Sequence, residues 1–189
     1  MSQLLGSLGS YPPYFGRLGE INRVGPPLLD GEPKLASLSV DAVRAQLADG
    51  AVLIDARPVD RFAESHVRGA ISIPLRPVFA SWLGWLAPTD RPLIIVADAD
   101  QDSADIAWQA AKIGYGNIIG ELDGAMSAWT AAGHNTASIP LTQAGQLDGR
   151  RVLDIRQRSE YLDGHLPGAM HVELGDIAHR AAEVPDKPT

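Results

Sequence analysis

The chain has 189 residues, a formal net charge of −7 and no cysteine. The length suffices for one full domain and part of a second, and the acidic charge argues against nucleic acid, whose phosphates select basic surfaces. Without cysteine the chain has neither a disulfide nor a thiolate metal site.

Residues 1–35 are predicted to form a short N-terminal helix and a Pro/Gly-rich linker. The start, MSQLLGSLGS, lacks the basic region and the long apolar run of a signal peptide. The apolar, uncharged internal stretch Pro77 to Thr89 is too short to span a membrane. Pro12 and Pro13 can open a helix, and the GPP and GEP segments favour a linker. We therefore expect a cytoplasmic protein without a membrane partner.

Residues 36–140 are predicted to form a three-layer α/β domain. Ser39 is a candidate N-cap of a first helix, which ends before Gly50. Short apolar runs predict four strands, at Val52–Ile54, Ile71–Pro74, Leu93–Val96 and Asn117–Ile119. Two further helices are predicted, from Ser103 to Gly114 and from Ala125 to Ala132. Strands that are apolar on both faces indicate a mostly parallel sheet covered by helices, and the four tryptophans are expected in the core.

A tandem repeat extends the pattern beyond this domain. The segment 55–75, DARPVDRFAESHVRGAISIPL, recurs without a gap at 154–174 as DIRQRSEYLDGHLPGAMHVEL. Six of the 21 positions are identical, all at an offset of 99 residues: Asp55/Asp154, Arg57/Arg156, His66/His165, Gly69/Gly168, Ala70/Ala169 and Leu75/Leu174. Chance would rarely preserve both residues and spacing, so we interpret the two segments as a duplication.

These motifs resemble the rhodanese fold. The chain has D-x-R, then H-x-x-G-A, a buried strand, a six-residue loop and LDGAMSAWTAAG in the family's order. The resemblance covers about 36–189 and implies one complete rhodanese-like domain with strand order 1-5-4-2-3. It also implies that residues 141–189 form a truncated second rhodanese-like half-domain.

The resemblance also implies a lost active site. In a working rhodanese a cysteine nucleophile follows the central strand, and a loop of backbone N–H groups stabilises its thiolate. The matching position here holds Ala97, followed by Asp98, Ala99, Asp100, Gln101, Asp102 and Ser103. Alanine has no nucleophile, and the three carboxylates would repel an anionic sulfur donor. In the second copy the equivalent position is 196, past Thr189.

The repeated charged residues are expected to be structural. Asp55 with Arg57, and Asp154 with Arg156, are interpreted as internal ion pairs that fix a loop rather than as substrate clamps. His66 and His165 are interpreted as braces for the turn that contains Gly69 or Gly168, because no nucleophile is present for a base to activate.

Three functions remain open at this point. The first is a non-catalytic rhodanese-like module that serves interaction or assembly in a sulfur-handling protein. The second is a fragment of a sulfurtransferase whose catalytic cysteine lies beyond Thr189. The third is a small-ligand or metal-binding module that uses Asp98, Asp100 and Asp102, although Ser103 and Gln109 depart from the EF-hand pattern. No cofactor is expected.

Two partners are predicted. The truncated half-domain leaves an open strand edge, and such an edge favours pairing, so we expect a homodimer through residues 150–174. The segment YPPYFGRLGEINRVGPPLL also resembles the tail of a metallo-β-lactamase-fold hydrolase of the persulfide dioxygenase type. That resemblance implies a fused or associated hydrolase, although its metal-binding His-x-His-x-Asp-His run is not in this sequence.

Overall fold

The computed structural model describes residues 12–25, 31–147 and 149–184. Two compact units are present, of which the first spans Pro13–Leu141 and the second contains the chain from Thr142 onward. The expectations for residues 1–11 and for most of the GPP segment lie outside the described residues. Within the described residues no helix is long and apolar enough to cross a membrane.

A five-stranded parallel sheet forms the centre of the first unit. Its strands, in chain order, are β1 (Ser37–Leu38), β2 (Val52–Asp55), β4 (Ile71–Ser72), β5 (Leu93–Val96) and β6 (Ile118–Leu122). They lie side by side in the order β1-β6-β5-β2-β4, which is the order that the family resemblance implies. A separate antiparallel pair joins β3 (His66–Val67) to β7 (Thr136–Ala137).

Six helices accompany the described strands of the first unit. They are α1 (Phe15–Val24), α2 (Val40–Ala48), α3 (Val59–Glu64), α4 (Phe79–Leu86), α5 (Ser103–Lys112) and α6 (Ala125–Ala131). Ser39 caps α2 by accepting a hydrogen bond from the Ala42 N–H, as its position before the apolar stripe predicts.

The core of this unit lies on both faces of the sheet. Ile54 and Ile95 belong to one apolar cluster, with residues of α4 and α5 such as Phe79 and Ile106. The neighbouring Leu53 and Ile94 belong to a second cluster, with α2 and α6. Because successive strand residues point to opposite faces, these buried strands need cover on both sides. The three-layer α/β architecture is therefore confirmed.

The second unit reproduces part of the same design. Strand β8 (Leu153–Asp154) is followed by helix α7 (Arg158–Asp163) and by strand β9 (Met170–His171), and the two strands pair in parallel. Leu153 faces Met170 as Ile54 faces Ile71, so the repeat is visible in the strand pairing as well as in the sequence. A short helix α8 (Ile177–Arg180) follows. Within the described part of this unit, the sheet contains these two strands alone.

Several details differ from the sequence predictions. The strand predicted at Ile71–Pro74 ends at Ser72, and the one predicted at Asn117–Ile119 extends to Leu122. The extension follows from the pairing of β6 with β1, where a Cβ at Gly120 would overlap the Ala36 carbonyl oxygen. Trp108 is 40% exposed, so its expected place in the core is wrong.

Candidate functional site

The loop that follows β5 contains the residues that the family resemblance matches to a nucleophile loop. Ala97 directly follows Val96, the last residue of β5, and is half-buried. The loop runs to Asp102, whose side chain accepts a hydrogen bond from the Ala104 N–H at 2.9 Å and caps α5. An acidic N-cap agrees with the positive end of the helix dipole.

The Gln101 side chain forms hydrogen bonds with two backbone groups at this loop. The Gln101 side-chain oxygen accepts from the Asp98 N–H at 2.8 Å, and its amide nitrogen donates to the Ala56 carbonyl at 2.8 Å. The backbone N–H of Gln101 in turn donates to the Asp98 carbonyl at 3.0 Å. The first N–H after Ala97 is therefore already paired, and Gln101 ties the loop to the end of β2.

A surface cavity of about 860 Å³ opens beside the loop. Arg61 lines it from α3, while Glu121, Asp123 and Gly124 line it from the end of β6. The Ser103 hydroxyl donates a hydrogen bond to the Glu121 carboxylate. Together with loop residues Asp98 and Asp100, these groups place four carboxylates and one guanidinium around the cavity. Its charge therefore disfavours an anion.

Sequence reasoning missed the cavity residues outside the loop. Glu121 and Asp123 follow the run Ile118–Ile119, and the carboxyl ends of parallel strands meet at the same edge of a sheet. The segment Gly-Glu-Leu-Asp-Gly after that run was the available signal. The strand predicted from the sequence ends at Ile119, which leaves Glu121 outside the predicted sheet, so the signal was not recognised.

No metal centre is evident in the residues that the structure describes, since no group of three or more His, Asp or Glu side chains could hold an ion. Asp102 is engaged in the helix cap, and Asp100 is exposed at the loop tip. The 1, 3, 5 spacing of the three aspartates therefore does not produce a set of convergent ligands.

The Asp-x-Arg motif forms a buried ion pair in the first unit. Arg57 Nε and Nη2 donate to the two carboxylate oxygens of Asp55 at 2.9 and 2.7 Å, and Nη2 also donates to the Ser65 carbonyl at 2.7 Å. The Asp55 side chain is fully buried and that of Arg57 is 5% exposed. The guanidinium thus closes the segment from residue 57 to residue 65.

His66 completes this arrangement. Its ring stacks on Phe62 with centroids 3.8 Å apart, and Nδ1 lies 2.7 Å from the Phe62 carbonyl oxygen. The turn that follows contains Gly69, whose φ of +85° lies in the left-handed region that favours glycine. These residues hold the chain between α3 and β4.

The second unit repeats each of these contacts in the second copy of the motif. Arg156 Nε and Nη2 donate to Asp154 at 3.0 and 2.6 Å, and Nη2 donates to the Gly164 carbonyl at 2.8 Å. His165 stacks on Tyr161 at 3.8 Å, and Gly168 has a φ of +79°. The hydrogen bonds from Arg156 lower the pKa of Asp154 to about 2.

The two copies differ in solvent exposure. The Asp154 and Arg156 side chains are 10% and 44% exposed, far more than Asp55 and Arg57. An open cavity of about 590 Å³ lies along β8, lined by residues that include Leu153, Ile155 and His165. In the first unit, β2 and β3, which correspond to residues 151–154 and 165–166 of the second copy, pair with β5 and β7. The cavity therefore lies where the first unit has further strands.

Comparison with protein families matches two segments of this chain. Residues 39–132 and 141–189 match the model of the rhodanese-like domain family, and these residues make up more than half of the chain. No curated protein gives a significant match.

Several solved structures are similar to this chain at about 20% sequence identity. A protein from Anabaena sp. is 21% identical with a TM-score of 0.47, covering 54% of this chain and 82% of its own. A thiosulfate sulfurtransferase from Pseudomonas aeruginosa is 21% identical, covering 90% of this chain and 38% of its own, with a TM-score of 0.43. A metallo-β-lactamase from Staphylococcus aureus is 20% identical, covering 64% and 32%, with a TM-score of 0.47.

Proposed function

The chain belongs to the rhodanese-like family, and from that premise we propose that it is a non-catalytic module of a cytoplasmic sulfur-handling protein. The observation that carries the proposal is the absence of cysteine from the chain, including the loop after β5, where the resemblance puts Ala97 at the position of the family's nucleophile. The chain contains no cysteine, and a thiolate is the group that carries sulfane sulfur in a rhodanese-type sulfurtransferase. In this proposal the loop serves structure, not sulfur transfer.

The surroundings of Ala97 support a loss of anion binding as well. The Asp98 N–H, the first backbone N–H after Ala97, is paired with the Gln101 side chain. Asp98 and Asp100 add negative charge beside the cavity, and like charges disfavour a thiolate or a persulfide. Two independent features, the paired N–H and the carboxylates, therefore act in the same direction as the missing nucleophile.

We propose interaction or assembly as the role that remains. The second unit supports it, because β8 has one strand neighbour among the described residues while its counterpart β2 has two. Natural proteins usually cover or pair a strand edge. A homodimer through residues 150–174 would cover it, and the N-terminal segment's resemblance to a hydrolase tail adds a metallo-β-lactamase-fold hydrolase as a second proposed partner.

A thiosulfate:cyanide sulfurtransferase assay tests the catalytic part of the proposal. We expect thiocyanate formation at the no-protein rate, with an active cysteine-containing rhodanese domain as the positive control. Formation well above the blank by the purified chain would overturn the proposal.

Cysteine substitution tests the loop itself. We expect Ala97→Cys to restore little activity and its new thiol to have a pKa no lower than that of Ala99→Cys, a control in the same loop. Alkylation rates measured against pH give both pKa values. A thiol pKa in the Ala97→Cys variant well below that of the control, together with strong activity, would show that the loop still stabilises an anion and that the carboxylates and Gln101 matter little.

A further inference from the structure

We propose that Gly84 on helix α4 forms a binding notch for a tyrosine side chain, and that Tyr14 of the same chain is its occupant. By filling the notch, Tyr14 fastens the segment that contains helix α1 to the first unit. The inference goes beyond the assembly role proposed above, and it depends on neither the homodimer nor the hydrolase named there.

The glycine at position 84 has no local structural reason. It lies in the interior of α4, between Leu83 and Trp85, where glycine weakens a helix relative to alanine because it loses more backbone freedom on folding. Its φ does not lie in the left-handed region that favours glycine. The remaining reason for glycine at this position is space for a neighbouring group.

The Tyr14 ring is the group that needs this space. A Cβ placed on Gly84 would overlap the Cδ1 and Cε1 atoms of Tyr14 and would lie 3.3 Å from its Cγ. Gly84 is itself buried, so the ring lies directly on the helix backbone. Because these atoms belong to a planar ring rather than to the end of a flexible chain, a side chain at residue 84 would have to displace the ring.

The surroundings of the notch place Tyr14 at the end of α4. Tyr14 is half-buried and packs against the apolar cluster that α4 and α5 share. Tyr115 belongs to the same cluster, and its hydroxyl donates a hydrogen bond to the Ala87 carbonyl at 2.9 Å, just past the end of α4. Burial raises the pKa of the Tyr115 phenol, the charge of Arg17 opposes this rise, and Tyr14 adds to it. Tyr14 and Arg17 therefore both lie near Tyr115.

The rest of the segment shows why one side chain matters most. The ring of Phe15 meets that of Tyr14 edge-on with centroids 4.8 Å apart, but Phe15 is 47% exposed. The other described side chains of α1 are exposed except that of Leu18, which is half-buried. Gly16 and Gly19 lower the helix propensity, and a helix of ten residues is marginal on its own. Attachment of the segment therefore depends mainly on Tyr14.

A double-mutant cycle in the full chain tests the notch through the sign of an effect. With Tyr14 present, Gly84→Ala displaces the ring, and the melting temperature of the first unit, followed by tryptophan fluorescence, should fall by about 3 °C or more. In the Tyr14→Ala background the same substitution should raise the melting temperature by about 3 °C, because alanine favours a helix. An increase in both backgrounds would overturn the proposal.

Trypsin cleavage after Arg17 measures the attachment itself. A protease needs locally opened backbone, so the cleavage rate follows the population of the detached segment. Each rate is divided by that of the free peptide with the same sequence. Gly84→Ala and Tyr14→Ala should each speed cleavage at least about tenfold, whereas Phe15→Ala, the matched control, should change it less than about threefold. Equal acceleration by Tyr14→Ala and Phe15→Ala would contradict a role specific to Tyr14.

A peptide added to the full-length Tyr14→Ala variant tests binding in trans. The peptide of residues 12–24 contains no tryptophan, whereas Trp82 and Trp85 lie within two residues of Gly84 on α4, so binding should change the tryptophan fluorescence saturably. A tethered segment acts at a roughly millimolar effective concentration, so the titration extends to about 5 mM. The same peptide carrying Tyr14→Ala should give no saturable change, nor should the unmodified peptide with the variant that also carries Gly84→Ala. Equal responses to both peptides, or none to either, would overturn the notch as a tyrosine-binding site.

Discussion

Removal of the buried guanidinium at Arg57 should destabilise the first unit strongly. Arg57→Met retains most of the side-chain volume but leaves the fully buried Asp55 carboxylate without its partner and the Ser65 carbonyl without a donor. Breaking such a pair costs about 3–5 kcal/mol, a large part of the roughly 5–15 kcal/mol that stabilises a typical domain. For a unit of this size the melting temperature should fall by about 12–20 °C.

The assay is urea unfolding followed by tryptophan fluorescence. All four tryptophans lie between residues 82 and 129, inside the first unit, so the signal reports on this unit alone. Arg44→Met is the matched control, because Arg44 forms a solvent-exposed pair with Asp41 at 3.8 Å, and such pairs contribute less than about 1 kcal/mol.

A double variant separates the charge from the geometry. Asp55→Asn combined with Arg57→Met should recover part of the loss, because no uncompensated charge is then buried. If Arg57→Met lowered the free energy of unfolding no more than Arg44→Met does, the buried ion pair would not be the brace that its hydrogen bonds indicate.

Four further outcomes are expected. Hydrogen bonds from Arg156 lower the pKa of Asp154 to about 2 from 3.8, so the ionised pair stabilises the second unit above about pH 4 and this contribution is lost as the pH falls towards 2. The NMR chemical shift of the Asp154 carboxyl carbon should therefore titrate with a midpoint near 2, and a midpoint near 4 would contradict the ion pair. Gln101→Ala should speed amide exchange at Asp98 without changing that at Met126, and equal exchange in both proteins would refute the bond. Gly69→Ala should cost about 1 kcal/mol by urea unfolding because of the positive φ, and no loss would argue against that conformation. Deletion of residues 142–189 should leave the tryptophan-monitored transition within error of the full chain, while a large shift would show that the first unit depends on that segment.

The strands of the central sheet could be predicted because their signals are local. Leu93–Val96 is a run of four branched aliphatic residues, and it forms the buried centre of the sheet. The strand β1, of two residues only, has no periodicity that a sequence could display. Its absence from the prediction also shortened β6, because Glu121 and Leu122 pair with it.

The exposure of Trp108 is explained by its position on helix α5 and not by the apolar character of tryptophan. Ile106 and Ala110 are four residues apart on α5 and both are fully buried. Trp108 is two residues from each, which places it about 200° around the helix axis from either. The periodicity that predicted the buried face therefore also predicts an exposed Trp108, and the apolar character of tryptophan was the weaker guide.

Gln101 illustrates a feature that no local pattern reveals. Its partner Ala56 lies 45 residues earlier in the chain, and a bond between them requires that the ends of β2 and β5 be neighbours. Sequence spacing identified Gln101 as a loop residue, but its role in pairing the first loop N–H depends on the arrangement of the sheet.

The two copies of the Asp-x-Arg motif have the same hydrogen bonds but differ in burial. The comparison separates the features that the local segment encodes from those that depend on neighbouring strands. Arg57 and Arg156 make the same hydrogen bonds at closely similar distances, although one side chain is 5% exposed and the other 44%. The turn geometry therefore follows from a short local segment of chain, whereas burial in the first copy comes from strands that pair with β2 and β3. The Asp-x-Arg motif is therefore complete in both copies, and the solvent exposure of its guanidinium is what distinguishes them.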